Sequence, residues 1–361
     1  MAFDYDLVSI STRRKLVSIS IAIVIFAVLA GLATLALGRP IEYGVSNAIL
    51  TGVGVGVFEE FYVQSLRGRW LRSMHPVRSV LVYTAVVALI YLAAIHVSHA
   101  FLGHWYELPT IYRRLPLAIP MFVGFSVVGI VAMRVVHFIG AENLFHLTVG
   151  TYHRAVVRGT VLLFVDMNGS TAIAGRLGAL KMSALVRKFL FDIAKPITDR
   201  GGEIYLYKGD GLIAVWPWSA AVKNNAVLAA IDAMFAAVKR EHDAYFREYG
   251  VVPTFRVGVH GGDVVVSEQG DTKRSIGIYG DTINLAARME EAAKAHGVGC
   301  VISGDVAEAL QDPVGRIRPL ATETIRGLPE PMLICEYRPD IGAAAREPGT
   351  APAPAEQKHP A

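Results

Sequence analysis

The chain has 361 residues, of which 53% are hydrophobic and only 18% charged, with a net charge of +4 at neutral pH. A soluble domain carries about 25% charged residues, so a wholly soluble or wholly disordered chain is excluded, and the length allows two or three domains of about 100–200 residues. Residues 1–158 hold 13 Lys and Arg against 7 Asp and Glu, whereas residues 159–361 hold 22 against 24. The basic excess belongs to the apolar half, as Arg-rich loops beside a bilayer produce, and nucleic acid is not an expected partner. Cys300 and Cys335 stand at no metal-ligand or CxxC spacing, so neither a disulfide framework nor a structural zinc site is legible.

Residues 16–38 form 23 consecutive uncharged positions behind Arg13, Arg14 and Lys15. About 20 apolar residues cross a bilayer, and the run exceeds the roughly 7–15 apolar residues of a signal peptide. Further spans are expected at about 43–63, interrupted by Glu59 and Glu60, at 79–101 and at 115–137, giving an all-α region of four transmembrane helices over 1–138. Arg13, Arg14 and Lys15 precede the first span, and Arg67, Arg69, Arg72 and Arg78 lie between the second and third. The positive-inside rule then places the N-terminus and everything after the fourth span in the cytoplasm of a multi-pass protein of the plasma (inner) membrane. Glu59 and Glu60 are read as reaching headgroup water at the end of their span. His96, His99 and His104 are read as interfacial or core histidines, His137 lying at the opposite membrane face. Residues 139–158 carry Leu144, Phe145, Leu147 and Val149 at helical spacing and are expected to form an amphipathic coupling helix.

Residues 159–340 alternate strand and helix patterns. Thr160–Val165 reads as a buried strand, followed by a helix over about 170–199, and strands at about 203–207 and 212–216 are joined by KGDG as a tight hairpin. A long helix is expected at about 219–247, strands at 254–260 and 275–279, and a helix opening at Asp281. The pattern is α+β, helices over a mainly antiparallel sheet. The Ala- and Pro-rich stretch 341–361 is expected to be a disordered tail.

Asp166 ends the first strand in FVDMNGST, and Asp210 stands at the hairpin tip in YKGDG. If the hairpin pairs beside the first strand, the two carboxylates converge and attract a divalent ion. Gly209 and Gly211 would let the backbone approach a phosphate. In YGDTINLAARMEE, Asn284 and Arg288 lie four apart and share one face near a helix start, where anions are favoured. An Arg there can pair with phosphate, and an Asn can orient a sugar oxygen.

FVDMNGST, YKGDG, RVGVHGGDVV and GDTINLAAR, in this order over about residues 159–338, resemble the class III nucleotidyl (adenylate and guanylate) cyclase domain of membrane-anchored bacterial type. The resemblance implies a ferredoxin-like core working as a head-to-tail homodimer with two sites at the interface. It implies conversion of ATP to 3′,5′-cyclic AMP and pyrophosphate with two Mg²⁺ or Mn²⁺ ions per site. Position by position, Asp166 and Asp210 match the metal-binding aspartates, and Asn284 and Arg288 match the transition-state pair supplied by the partner chain. Met167, Asn168, Gly169, Ser170, Thr171, Lys208 and Gly209 are expected to line the substrate, and Arg326 in IRGLPEP resembles a late basic residue that contacts the triphosphate. The usual base-reading positions hold Leu206 and Gly277. Lys208, two before Asp210, shares the strand face of Leu206, and a register change would let it substitute. Gly261, Gly262 and Asp263 match the GGD of diguanylate cyclases only superficially, because Val264 and Val265 replace the acidic and aromatic pair that follows. Adenylate cyclase is the expected activity; the alternatives are a guanylate cyclase and a catalytically silent, dimerising nucleotide-binding module.

Overall fold

The computed structural model describes residues 41–63, 68–72, 74–102, 154–271, 275–311, 315–324 and 330–340, with scattered helical positions between 20 and 36 and at 113, 127 and 131. The chain divides into two compact units, Arg13–Val149 and a second that contains Gly150–Ala361. The 115–137 span lies outside the described residues apart from two isolated positions, and the 341–361 tail and residues 139–153 of the coupling helix lie wholly outside them.

In the first unit, α1 (Ile41–Val57) runs on into a π-helical segment, Phe58–Val63, and a single helical turn at Arg69–Arg72 precedes α2 (Pro76–Leu102). Within α2, Val77–Phe101 is long and apolar enough to cross a membrane. Val77, Leu81 and Leu89 recur at multiples of four along it and are 62%, 65% and 66% exposed, which gathers them on one uncovered apolar stripe. Glu59 departs from the expectation that it reaches headgroup water: its side chain is buried, and its Oε2 accepts a hydrogen bond of 2.6 Å from the Tyr83 hydroxyl on α2. A buried carboxylate requires such a partner. His96 Nδ1 lies 2.7 Å from the Leu92 carbonyl of its own helix turn. Among the described residues, no group of three or more His, Cys, Asp and Glu stands ready for a metal.

The second unit is built on β1 (Val156–Met167), α3 (Ser170–Asp199), β2 (Glu203–Lys208), β3 (Gly211–Pro217), α4 (Ala226–Arg240), α5 (His242–Tyr249), β4 (Phe255–Gln269), β5 (Ser275–Tyr279), α6 (Asp281–His296), β6 (Cys300–Ser303), α7 (Gly304–Ala309), β7 (Ile317–Glu323) and β8 (Met332–Tyr337). The sheet runs β2-β3-β1-β4-β6-β8-β7, with β5 paired to β4. The elements β1-α3-β2-β3-α4-β4, with all neighbouring strands antiparallel, make the expected ferredoxin-like core, α5 intervening before β4; β4 and β6 are parallel. Because Val156, Val157 and Arg158 already belong to β1, the coupling helix cannot extend to residue 158.

Side chains alternate along a strand, and β1 shows what each face does. Val161, Leu163, Val165 and Met167 pack with α3 and α4 in the large core, whereas Leu162 belongs to a second cluster with Ile213, Val264 and Ala286 of α6. The sheet is therefore covered on one face by α3 and α4 and on the other by α6. The helical run Trp218–Arg240, of which α4 is the last part, is also long and apolar enough to span a membrane. Its residues Val227, Leu228, Ile231 and Met234 fill the large core instead.

The expected single helix over 219–247 is interrupted. Asn224 and Asn225 both take φ 53°, a left-handed conformation that Asn tolerates better than most residues, and Glu241 separates α4 from α5. The Asn225 side chain ties this break to the chain after α7, accepting from the Gln311 N–H at 2.9 Å and donating to the Gln311 carbonyl.

Candidate active site

Asp166 follows Leu162 and Phe164 in the alternation of β1, so it emerges on the face that carries α6. Arg256 of β4 stands opposite it in the ladder, and Arg256 Nη2 donates to Asp166 Oδ2 at 3.0 Å. The same guanidinium donates from Nε to Glu290 Oε1 at 2.9 Å and from Nη1 to Asn168 Oδ1. Asn168 is fixed in turn by Thr254, through side-chain (3.0 Å) and backbone (2.8 Å) hydrogen bonds. Glu290 reaches this group because α6 lies directly on β4 at Gly258, where a Cβ would stand 2.1 Å from the Glu290 backbone nitrogen.

The second carboxylate arrives on the hairpin. Lys208 pairs with Gly211, leaving Gly209 and Asp210 as a two-residue turn in which Gly209 has φ 61°. A positive φ at the first central residue alone is the pattern of a type II′ turn. The next residue crosses the end of β1 so closely that a Cβ on Gly211 would lie 2.1 Å from the Val165 carbonyl oxygen. Asp210 Oδ2 is buried there with no hydrogen-bond partner. Burial, and then the charges of Asp210 and Glu290, push the Asp166 carboxyl above its ordinary range, with Arg256 and Lys294 pulling the other way. The Asp166 carboxylate thus feels the charge of Asp210.

An orphaned carboxylate oxygen beside a second acid suits a hard divalent cation bound through oxygen. Two protein carboxylates suffice for Mg²⁺, which takes the rest of its shell from water and substrate phosphate.

A family model for the adenylate and guanylate cyclase catalytic domain matches residues 155–333. Residues 155–333 are a class III cyclase catalytic domain. Adenylate cyclase 2 of Rhizobium meliloti (strain 1021) is 32% identical over 185 residues, which cover 51% of this chain and 51% of that protein. The adenylate cyclase of Anabaena cylindrica is 27% identical over 164 residues, covering 44% and 32% respectively. The chain thus spans about half the length of the first relative and a third of the second. The structure of a bacterial light-regulated adenylyl cyclase shares the fold, with a TM-score of 0.53 at 15% identity over 65% of this chain and 66% of that one.

Within the cyclase domain, several expected substrate residues are placed differently from one another. The Met167 side chain is buried in the large core, because the alternation that exposes Asp166 turns the next residue inward, which leaves only its backbone for a substrate. Asn168 is committed to Arg256 and Thr254. Gly169, at φ 64°, opens α3. The first helical bond, Ile173 N–H to the Gly169 carbonyl at 3.0 Å, leaves the N–H groups of Ser170 and Thr171 at the open end of the helix, where anions are favoured. Lys208 is exposed and shares the face of Leu206, whose partner is Ile213. The bulge in β2 falls between Ile204 and Leu206, ahead of both, so it does not carry Lys208 into the position of Leu206. The space that a side chain at Gly277 would fill is taken by the Tyr279 ring, 2.7 Å from the Cβ position, and the Tyr279 hydroxyl donates to Gln269 Oε1. Arg326 lies outside the described residues.

Asn284 and Arg288 are both exposed on α6, and Arg288 pairs with Glu291 one turn on. At about 100° per residue, Arg288 lies about 160° around the helix from Glu290. Since Glu290 faces Arg256 and Asp166, Arg288 is turned away from the aspartates of its own chain. Gly261, Gly262 and Asp263 sit inside β4, and the Asp263 carbonyl accepts from Thr282 Oγ1 at 2.6 Å. A Cβ on Gly262 would lie 3.0 Å from the same Thr282 Oγ1, so α6 sits close on β4 here, whereas Gly261 packs against Trp218.

Arg256 and Glu290 are the residues that sequence reasoning missed. The available signal was an Arg between Phe255 and Val257, both buried. What it faces follows from the β1–β4 register, which no local pattern contains.

Proposed function

We propose that the chain is a membrane-anchored adenylate cyclase that converts ATP to 3′,5′-cyclic AMP and pyrophosphate at sites shared between two copies. The observation that carries this reading is the buried, unpartnered Asp210 Oδ2 next to an Asp166 whose ionised form is disfavoured, by burial first and then by Asp210. The names of the relatives in Rhizobium meliloti and Anabaena cylindrica favour ATP over GTP. The apolar stripe of α2 favours a lipid-facing helix, and the Arg-rich segments before residue 79 favour a cytoplasmic catalytic domain.

Asp166 and Asp210 would hold Mg²⁺ or Mn²⁺, two ions per site, supplying neutralisation of the phosphates and acidification of the ribose 3′-hydroxyl. The open N-terminus of α3 at Ser170 and Thr171 binds phosphate oxygens through backbone N–H groups. Arg288 of a second copy, turned away from its own aspartates, neutralises charge developing on the α-phosphate, and Asn284 beside it orients the ribose. Loss of a charge-stabilising donor of this kind typically slows turnover about 10²- to 10³-fold.

Incubating the purified protein with ATP or GTP and Mn²⁺ tests the activity and the base choice together. Cyclic AMP is the expected product; cyclic GMP alone assigns the guanylate activity, and no product from either assigns the silent module. Sharing of the site is tested by mixing subunits. Asp210→Ala and Arg288→Ala are each expected to be inactive, and co-expression restores one intact site per heterodimer. No recovery in heterodimers shown to form by tandem purification contradicts the shared site.

A further inference from the structure

Arg256 and Glu290 have no part in the metal and transition-state roles assigned above, yet both are largely buried, 14% and 17% exposed at the side chain. Arg256 Nη2 lies 3.0 Å from Asp166 Oδ2, the same carboxylate that a cation would need. A guanidinium and a cation on one carboxylate repel each other. The guanidinium is a rigid planar fork, and here it is held from three sides: Glu290 takes Nε at 2.9 Å, Asn168 takes Nη1 and Asp166 takes Nη2. The rigid group bridges Glu290 and Asp166 at once, so the hold of Glu290 on Nε fixes where Nη2 stands against Asp166. Glu290 is brought within reach by the backbone contact of α6 at Gly258.

We propose that Arg256 competes with the divalent cation for Asp166, and that Glu290 is a positioning residue that draws the guanidinium toward α6 and so sets the cation affinity of the Asp166–Asp210 pair. This rests on the cation-site reading of the preceding subsection. Glu290 acts through Arg256, without touching the cation.

The test is Mn²⁺ binding by the full chain in lipid nanodiscs, read from loss of the free-ion electron paramagnetic resonance signal, with Mn²⁺ alone as the probe. Glu290→Gln is expected to weaken binding roughly three- to tenfold, and Arg256→Gln to tighten it by a similar factor, as coupled neighbours do. In the Arg256→Gln background, Glu290→Gln is then expected to change binding less than about twofold. Arg256→Met, which keeps the packed stem, serves as the second variant if Arg256→Gln does not fold. Weaker binding in a folded Arg256 variant, or an undiminished effect of Glu290→Gln in its absence, overturns the proposal. Asp210→Asn separates the two levels. Wild-type binding that is lost in Asp210→Asn but unmoved by Glu290→Gln sinks the positioning role alone. Binding indifferent to Asp210→Asn sinks the cation site and this inference with it.

Discussion

Burial favours the neutral form of two titratable groups in the cyclase domain, lowering the pKa of one and raising that of the other, so they act on stability with opposite signs. His260 is buried in β4 with Nδ1 2.8 Å from Ser303 Oγ on β6. Burial holds its pKa below the ordinary histidine value, with Asp305 pulling back. Between that lowered value and about 6.5, the unfolded chain binds more protons than the folded one, so stability is lost as pH falls through this window. Asp166 has a raised pKa, so between the ordinary carboxylate value and the raised one the folded chain binds more protons, and its contribution grows as pH falls. The prediction for His260 is a thermal midpoint that drops between about pH 7.5 and about pH 5.5, with a shallower slope in His260→Gln. An identical slope in the variant assigns the acid sensitivity to other groups. Asp166 and Asp210 were legible because one closes an apolar run and the other sits between two glycines. Arg256 and Glu290 were not, because their importance lies in what they face.

The hairpin β2–β3 delivers the second acid, and its placement depends on the absence of one atom. A Cβ on Gly211 would meet the Val165 carbonyl oxygen at 2.1 Å, which is backbone on both sides and cannot rotate away. Gly211→Ala is expected to cost about 1–3 kcal/mol, in the range of overpacking, and to lift the turn off β1. Urea unfolding measures the first effect and the Mn²⁺-dependent cyclase assay the second. Activity is expected to fall well beyond what the lost folded fraction explains, and retention of full activity would detach the hairpin contact from the site. In this half β6, β7 and β8 were not read, whereas strand and helix identities as far as α6 followed from alternation and turn chemistry. Their lengths did not: β4 runs to Gln269 because it pairs with all of β1 and then with β5. The helix read over 219–247 breaks at Asn224 and Asn225 because a tertiary partner, Gln311, holds the break, while apolar periodicity continues through it.

The two units of the chain are separable in composition, and the proposed anchoring makes a claim about encounter. Subunits confined to a membrane meet at a higher effective concentration than free ones. Removing residues 1–138 is therefore expected to leave a protein of lower specific activity at dilute concentration that recovers as concentration rises. Equal specific activity across a dilution series, matched against the full chain, removes that role from the first unit. An α+β domain and its two aspartates could be read from residues alone, because alternation, apolar runs and glycine-bearing turns are signals written within a few neighbouring positions; the ferredoxin-like core came from the likeness of four motifs to the cyclase family. The burial of Glu59 against Tyr83, the inward turn of Met167, the Tyr279 ring over Gly277 and the Asp166–Arg256–Glu290 group could not. Each joins segments far apart in the chain, and which side chains meet there is set by strand register and helix contact, quantities that exist only once the sheet is paired and the helices are laid on it.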